Sequence, residues 1–396
     1  MPTQNGFRHQ SYPTVVTTPP QFRMLARVDG RDGQFQSLHS KLKVSRIVLV
    51  HGTFVGNDPF AISETMTAVG RSVPWLSGVL DKFANSLMQK MPDFAASATK
   101  DVGNYTEDFR VEFQRLVGTD PAVELLKPAW SSQNHHFARA DLAMQLLHQI
   151  IQRPVPASQK ILLWGHSHAG NAFALLTNLL ANERADVERF FSAIDQPSEL
   201  WKAVRENLRT SPTPHPIAKQ MLMVTFGTPV RYGWDVNGCH RLVHVTHHRP
   251  ENESMAITCK PLFPPHPVAD VVKATWGDWV QSFAIAGTDV ASPASRAVNA
   301  RLTELLEDGL SLPEPNERVA AIKPASLQNL CARWTTGTRC HADGLNMLVQ
   351  YEPSGLMTSL LTPLETTLFG HGVYTTSPWL PSHLQLVQDA IWFDGQ

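Results

Sequence analysis

The 396-residue chain is 42% hydrophobic, and its 34 Lys and Arg nearly balance 35 Asp and Glu, leaving a formal charge of −1. That apolar fraction supports one large α/β domain with insertions, or two domains. Near-neutrality without a long like-charge run argues against nucleic acid as the main partner, because phosphate binding needs a concentrated basic patch.

Residues 1–40 are polar and contain prolines, so an extended N-terminal arm is expected there, followed by a single domain over 41–396. Met1-Pro2-Thr3-Gln4-Asn5-Gly6 lacks the basic-then-apolar order of a secretory leader. The expected location is cytoplasmic, with export by a signal-less route left open. No window approaches the roughly 18 uninterrupted apolar residues of a spanning helix, so no transmembrane segment is expected. Cys239, Cys259, Cys331 and Cys340 form no C-x-x-C pair and fit a reducing compartment, with a Cys331–Cys340 disulfide left open.

Arg46-Ile47-Val48-Leu49-Val50 is the first strong strand and ends in His51-Gly52-Thr53-Phe54. Residues 75–91 put Trp75, Leu76, Val79, Leu80, Phe83, Leu87 and Met91 on one helical stripe. Such a stripe packs on a core in most proteins, and an amphipathic segment inserted between strands serves in some as a lid. A weaker strand is expected over 123–130 and an amphipathic helix over 138–151. His135-His136 at its start is read as a surface or helix-start pair. Lys160-Ile161-Leu162-Leu163-Trp164 is a strand, and a helical pattern follows from Asn171 to Ala181.

Met221 to Phe226 is another strand, stopped by Gly227-Thr228-Pro229. Leu242 to Thr246 alternates like a strand and puts His244 and His247 on opposite faces, which argues against a zinc site; no metal is expected. Phe283-Ala284-Ile285-Ala286 reads as a short strand before Gly287-Thr288-Asp289, and a helix is expected from Ser295 to Glu307. Alternating strands and helices imply an α/β fold, a mainly parallel central sheet covered by helices on both faces. Insertions are expected near 56–122 (the candidate lid), 231–275 and 310–365. Ligands of such sheets bind at the carboxyl ends of strands, where His51, Ser167, the Gly227 loop and Asp289 all fall.

Gly165-His166-Ser167-His168-Ala169, between strand and helix, reads as a nucleophile elbow, a turn sharp enough to lift the Ser Oγ clear of the backbone. The usual form is G-x-S-x-G; Ala169 replaces the last glycine, and Gly170 follows. Small residues serve because the helix passes close to the strand. A serine needs an adjacent base oriented by a carboxylate, and elbow enzymes order these Ser, acid, His along the chain. For the acid, Asp289 ends an apolar run, precedes a helix and has Pro293 four residues on. Asp278, in Trp276-Gly277-Asp278-Trp279, is the alternative, with Asp270 and Asp235 behind. For the base, His371 stands between Gly370 and Gly372; His341 and His383 are less well framed. The oxyanion would be held by the amides of His168 and Thr53, each worth about 3 kcal/mol to a transition state.

These features together resemble an α/β-hydrolase of the lipase/esterase type. Thr225-Phe226-Gly227-Thr228-Pro229-Val230 resembles the post-elbow strand of class 3 lipases. Trp130-Ser131-Ser132-Gln133-Asn134 with Arg139 resembles bacterial lipase-like proteins, some of them phospholipase effectors. Class 3 lipases carry the acid directly after the next strand, whereas Leu242-Val243-His244-Val245-Thr246-His247-His248 has none. The resemblance implies an α/β-hydrolase fold and carboxylic-ester hydrolysis through an acyl-enzyme formed by Ser167, His371 and Asp289. No cofactor would be needed. The substrate would be a small-molecule or lipid ester, met at a lipid interface if the lid is real. Two alternatives are a phospholipase effector acting on membrane lipids, with 1–40 as a delivery segment, and a non-catalytic binding protein of the same fold.

Overall fold

The computed structural model describes residues 6–10, 14–52, 103–119, 123–250, 270–271, 273–284, 291, 294–306, 337–352 and 368–392. Within them, seven strands form one sheet: β1 (Gln21–Leu25), β2 (Val44–Val50), β3 (Glu124–Leu126), β4 (Lys160–His166), β5 (Met221–Phe226), β6 (Arg241–His247) and β7 (Leu345–Tyr351). Their order is β1-β7-β6-β5-β4-β2-β3, and every pairing is parallel. Among the described residues the α-helices, four to seventeen residues long, are α1 (Ser37–Ser40), α2 (Glu107–Val117), α3 (His136–Gln152), α4 (Ala169–Ala181), α5 (Arg184–Ser192), α6 (Glu199–Thr210), α7 (Trp279–Ala284), α8 (Arg296–Leu306) and α9 (Leu380–Trp392).

Parallel sheets read as continuous apolar runs because both faces are covered. Here β4 sends Ile161 and Leu163 to one face, where they meet α3, α4, α5, α6 and α8. Leu162 and Trp164 go to the other, against α2, α9, Val373 and Tyr374. Chain order runs from β2 outward to β3, then returns to β4 on the opposite side of β2. This reversal falls between β2 and β4, whose carboxyl ends are the position where doubly wound sheets bind ligands.

Most expected elements are present, with ends moved by a few residues. His135 caps α3 by accepting a hydrogen bond from the Ala138 amide, and so belongs to the helix start. His244 and His247 do lie apart: the first bonds Thr225 Oγ1 and the second the Gly370 carbonyl.

Three differences matter. Phe283 and Ala284, expected as a strand, close helix α7. Strand β7 lies inside the 310–365 segment expected as an insertion, and β6 inside the one expected over 231–275. The expected arm over 1–40 contains β1, which pairs with β7 at the sheet edge, and Phe7, which is buried and stacks on Phe190 at 4.3 Å. Thr53, Asp289 and the candidate lid over 75–91 lie outside the described residues.

Candidate active site

Ser167 follows the last residue of β4 and precedes α4, and its φ is +56°. Left-handed backbone disfavours a side chain, so a serine here is held by its surroundings. The Ser167 amide donates to the Phe226 carbonyl at 2.8 Å, and the Thr228 hydroxyl donates to the Ser167 carbonyl at 2.8 Å. Both anchors come from the end of β5. The requirement for small residues is physical: a methyl on Gly165 would sit 2.4 Å from Phe173 of α4. Ser167 Oγ is buried and has no hydrogen-bond partner among the described residues.

His371 Nδ1 lies 2.7 Å from Asp278 Oδ2, with both side chains 0% exposed. Asp278, the alternative acid of the sequence reading, therefore occupies the carboxylate position on His371. Gly277 and Gly370, with φ of +90° and +85°, bring the two loops together backbone to backbone. A methyl on Gly370 would lie 2.5 Å from the Gly277 carbonyl oxygen, and one on Gly277 would lie 2.4 Å from the His247 carbonyl oxygen. No residue with a side chain fits either position without moving the chain it touches.

The carboxylate is well supplied with donors. Asp278 Oδ1 accepts from the Gln281 amide at 2.8 Å as the cap of α7, and Oδ2 also accepts from the Tyr374 hydroxyl at 3.0 Å. Buried Arg339 donates to the Asp278 carbonyl at 2.7 Å and the Trp276 carbonyl at 2.8 Å. Burial alone would raise the Asp278 pKa, but His371, the Gln281 amide and Arg339 outweigh it and hold the carboxyl below its ordinary value. Asp278 is thus ionised at neutral pH.

The two halves meet through His166. Its ring lies 4.4 Å from that of His371, and its Nε2–H donates to the His371 carbonyl at 3.3 Å. Burial, and then the neighbouring His371, hold His166 well below the ordinary imidazole value. It is therefore a neutral spacer between Ser167 and the His371 loop. A methyl on Gly227 would fall 2.7 Å from Asp278 Oδ2 and 3.0 Å from His371 Cε1, and one on Gly52 would fall 2.4 Å from Ser167 Cβ. The β2 end, the elbow, the β5 end and the His371 loop thus converge on one small volume. His168 stands at the start of α4, where helix amides face outward and favour negative charge.

The other candidates are engaged elsewhere. His341 accepts from Trp234 Nε1 at 3.1 Å and stacks on His244 at 3.9 Å, while His383 bonds the Tyr351 hydroxyl at 2.8 Å. Asp235 caps a short 3-10 turn by accepting from the Asn237 amide. No cluster of three or more His, Cys, Asp or Glu able to hold a metal occurs among the described residues. No described helix is long and apolar enough to cross a membrane.

A strand over 283–286 would favour Asp289, but Phe283 and Ala284 close a helix instead. A better signal was present: Asp278-Trp279-Val280-Gln281 has the Asp-x-x-Gln spacing of a helix start, which places Asp278 at a loop-to-helix junction. Arg339 and Tyr374 carry no local motif and are found only through their contacts. No family model, curated protein or solved structure matches the chain.

Proposed function

We propose that the protein is a serine carboxylic-ester hydrolase with an α/β-hydrolase fold, using Ser167 as nucleophile, His371 as base and Asp278 as acid. The observation that carries this reading is the buried His371–Asp278 pair packed against His166, the neighbour of a serine held at φ +56° between strand and helix. Asp278 engages Nδ1 of His371, which leaves Nε2 as the base nitrogen. The imidazole takes the Ser167 proton as Oγ attacks the ester carbonyl, then delivers that proton to the departing alcohol. Water repeats the cycle and releases the acid. Asp278 stays ionised and supports the imidazolium that forms in between.

The oxyanion formed at each step would face the His168 amide, with the Thr53 amide as the second donor; a donor of this kind is worth about 3 kcal/mol. The substrate is proposed to be a small-molecule or lipid acyl ester. This part rests on the lipase-like motifs of the sequence. No cofactor enters the scheme.

The test is active-site labelling. A fluorophosphonate probe should modify the folded full-length chain at Ser167, and Ser167→Ala or His371→Ala should abolish the adduct. Folded protein that takes up no probe would refute the hydrolase reading in favour of a binding protein.

A further inference from the structure

The proposed reaction names three side chains, yet a fourth bonds the acid directly. Tyr374 is fully buried, and its hydroxyl donates to Asp278 Oδ2 at 3.0 Å, the same oxygen that engages His371. That hydroxyl also accepts from the His247 amide, at the end of β6, at 2.6 Å. The His247 carbonyl in turn accepts from the Asp278 amide at 3.0 Å. Tyr374, Asp278 and His247 therefore close a ring of three hydrogen bonds, fixed at one corner to the sheet backbone.

The ring has a defined sense. A phenol has one proton, and an amide N–H already points at its oxygen, so that proton must go to an acceptor. The acceptor is Asp278 Oδ2, and an ionised carboxylate is the best partner available. Burial, and next the charge of Asp278, push the Tyr374 pKa well above its ordinary value, so the donor keeps its proton at any working pH. The Tyr374 ring also stands edge-on to His371, with centroids 5.8 Å apart at 89°.

We infer that Tyr374 is a positioning residue of the catalytic apparatus: a second donor that fixes Asp278 against His371 and limits how strongly the carboxylate draws a proton onto the imidazole. This rests on the hydrolase reading proposed above. Without the phenol hydroxyl, more negative charge stays on Oδ2, the His371–Asp278 bond tightens, and the imidazolium is favoured. A base that holds its proton too well is charged, and so unable to accept the serine proton, over a wider acid range.

Two substitutions in the full chain test this. In Tyr374→Phe the acid limb of kcat/KM should move up by about one pH unit, a tenfold loss of rate below the limb, with KM nearly unchanged. Incorporation of 3-fluorotyrosine at position 374, which keeps the shape and strengthens the donor, should move the limb down. The His371 Nδ1 proton, seen far downfield by NMR and absent in His371→Gln, should shift downfield in the first variant and upfield in the second. A structural hydroxyl alone would not produce opposite shifts. An unmoved limb and an unmoved proton resonance in both proteins, with wild-type circular dichroism, would overturn the proposal. If Tyr374→Phe does not fold, the fluorinated chain decides. If the wild type hydrolyses no ester, the hydrolase reading fails by that observation, and the proton resonance still reports on the Tyr374–Asp278–His371 linkage.

Discussion

Ser167 holds a backbone conformation that its own side chain disfavours, and the hydrogen bonds from Ser167 to Phe226 and from Thr228 to Ser167 keep it there. A left-handed residue other than glycine costs roughly 1–2 kcal/mol. Two substitutions at Ser167 should therefore differ in stability. Ser167→Ala keeps the strain and Ser167→Gly relieves it, so the glycine variant should be more stable than the alanine variant by about 1 kcal/mol. Chemical denaturation of both proteins measures this, and equal midpoints would show that the turn is unstrained.

The turn at Ser167 and the glycine frame of His371 are legible in the sequence because each stands in a local pattern of small residues that a turn demands. The contact between Asp278 and His371 is not, because a short apolar run does not distinguish strand from helix. Phe283 and Ala284 look the same in either, and only the capping spacing from Asp278 to Gln281 favours the helix.

At the scale of elements, the site depends on two loops that touch through bare backbone. The Asp278 loop before α7 and the His371 loop before α9 meet at Gly277 and Gly370, which leaves no slack between Asp278 and His371. Gly370→Ala adds a methyl 2.5 Å from the Gly277 carbonyl oxygen at a φ of +85°. It should cost about 1–3 kcal/mol of stability. Turnover should fall by about 100-fold or more, since displacements near 1 Å are enough to cost that much. Unfolding curves and kcat for this one variant check both numbers, and wild-type turnover would mean that the loops tolerate separation.

The same scale explains what sequence reading missed in the sheet. Strand β1, Gln21-Phe22-Arg23-Met24-Leu25, is a short edge strand exposed over its first four residues, so no burial period marks it. Strand β7 is largely apolar, but the long stretch before it has no clear pattern to mark where it begins. The central strands β2, β4 and β5 are buried throughout or nearly so, and their continuous apolar runs announced them.

Across the whole molecule, neutral buried histidines make the fold sensitive to acid. His247, His341 and His383 are each lowered to about 3, with burial the largest cause in all three. In the unfolded chain each would titrate near 6.5. Between these values the unfolded state binds protons that the native state refuses, so stability falls as pH drops from about 6.5 toward 3. Each group contributes a slope of up to about 1.4 kcal/mol per pH unit, so three give roughly 4 kcal/mol per unit at pH 5. Asp278, whose pKa is depressed, adds to the loss only near and below the ordinary carboxylate range. Urea midpoints from pH 7.5 to 4.5 should fall steeply below pH 6.5, and a flat profile would show that these histidines are protonated in the native protein.

The central claim is that a carboxylate from the loop before α7 completes a triad with His371 and Ser167. Ester hydrolysis by Asp278→Asn and Asp289→Asn, measured side by side in the full chain, tests it most directly. Asparagine at 278 would present an amide to the imidazole and favour the wrong tautomer, a change that in triads of this kind lowers kcat by about 10⁴-fold. The account predicts that loss for Asp278→Asn and wild-type turnover for Asp289→Asn; full activity in Asp278→Asn with loss in Asp289→Asn would contradict it.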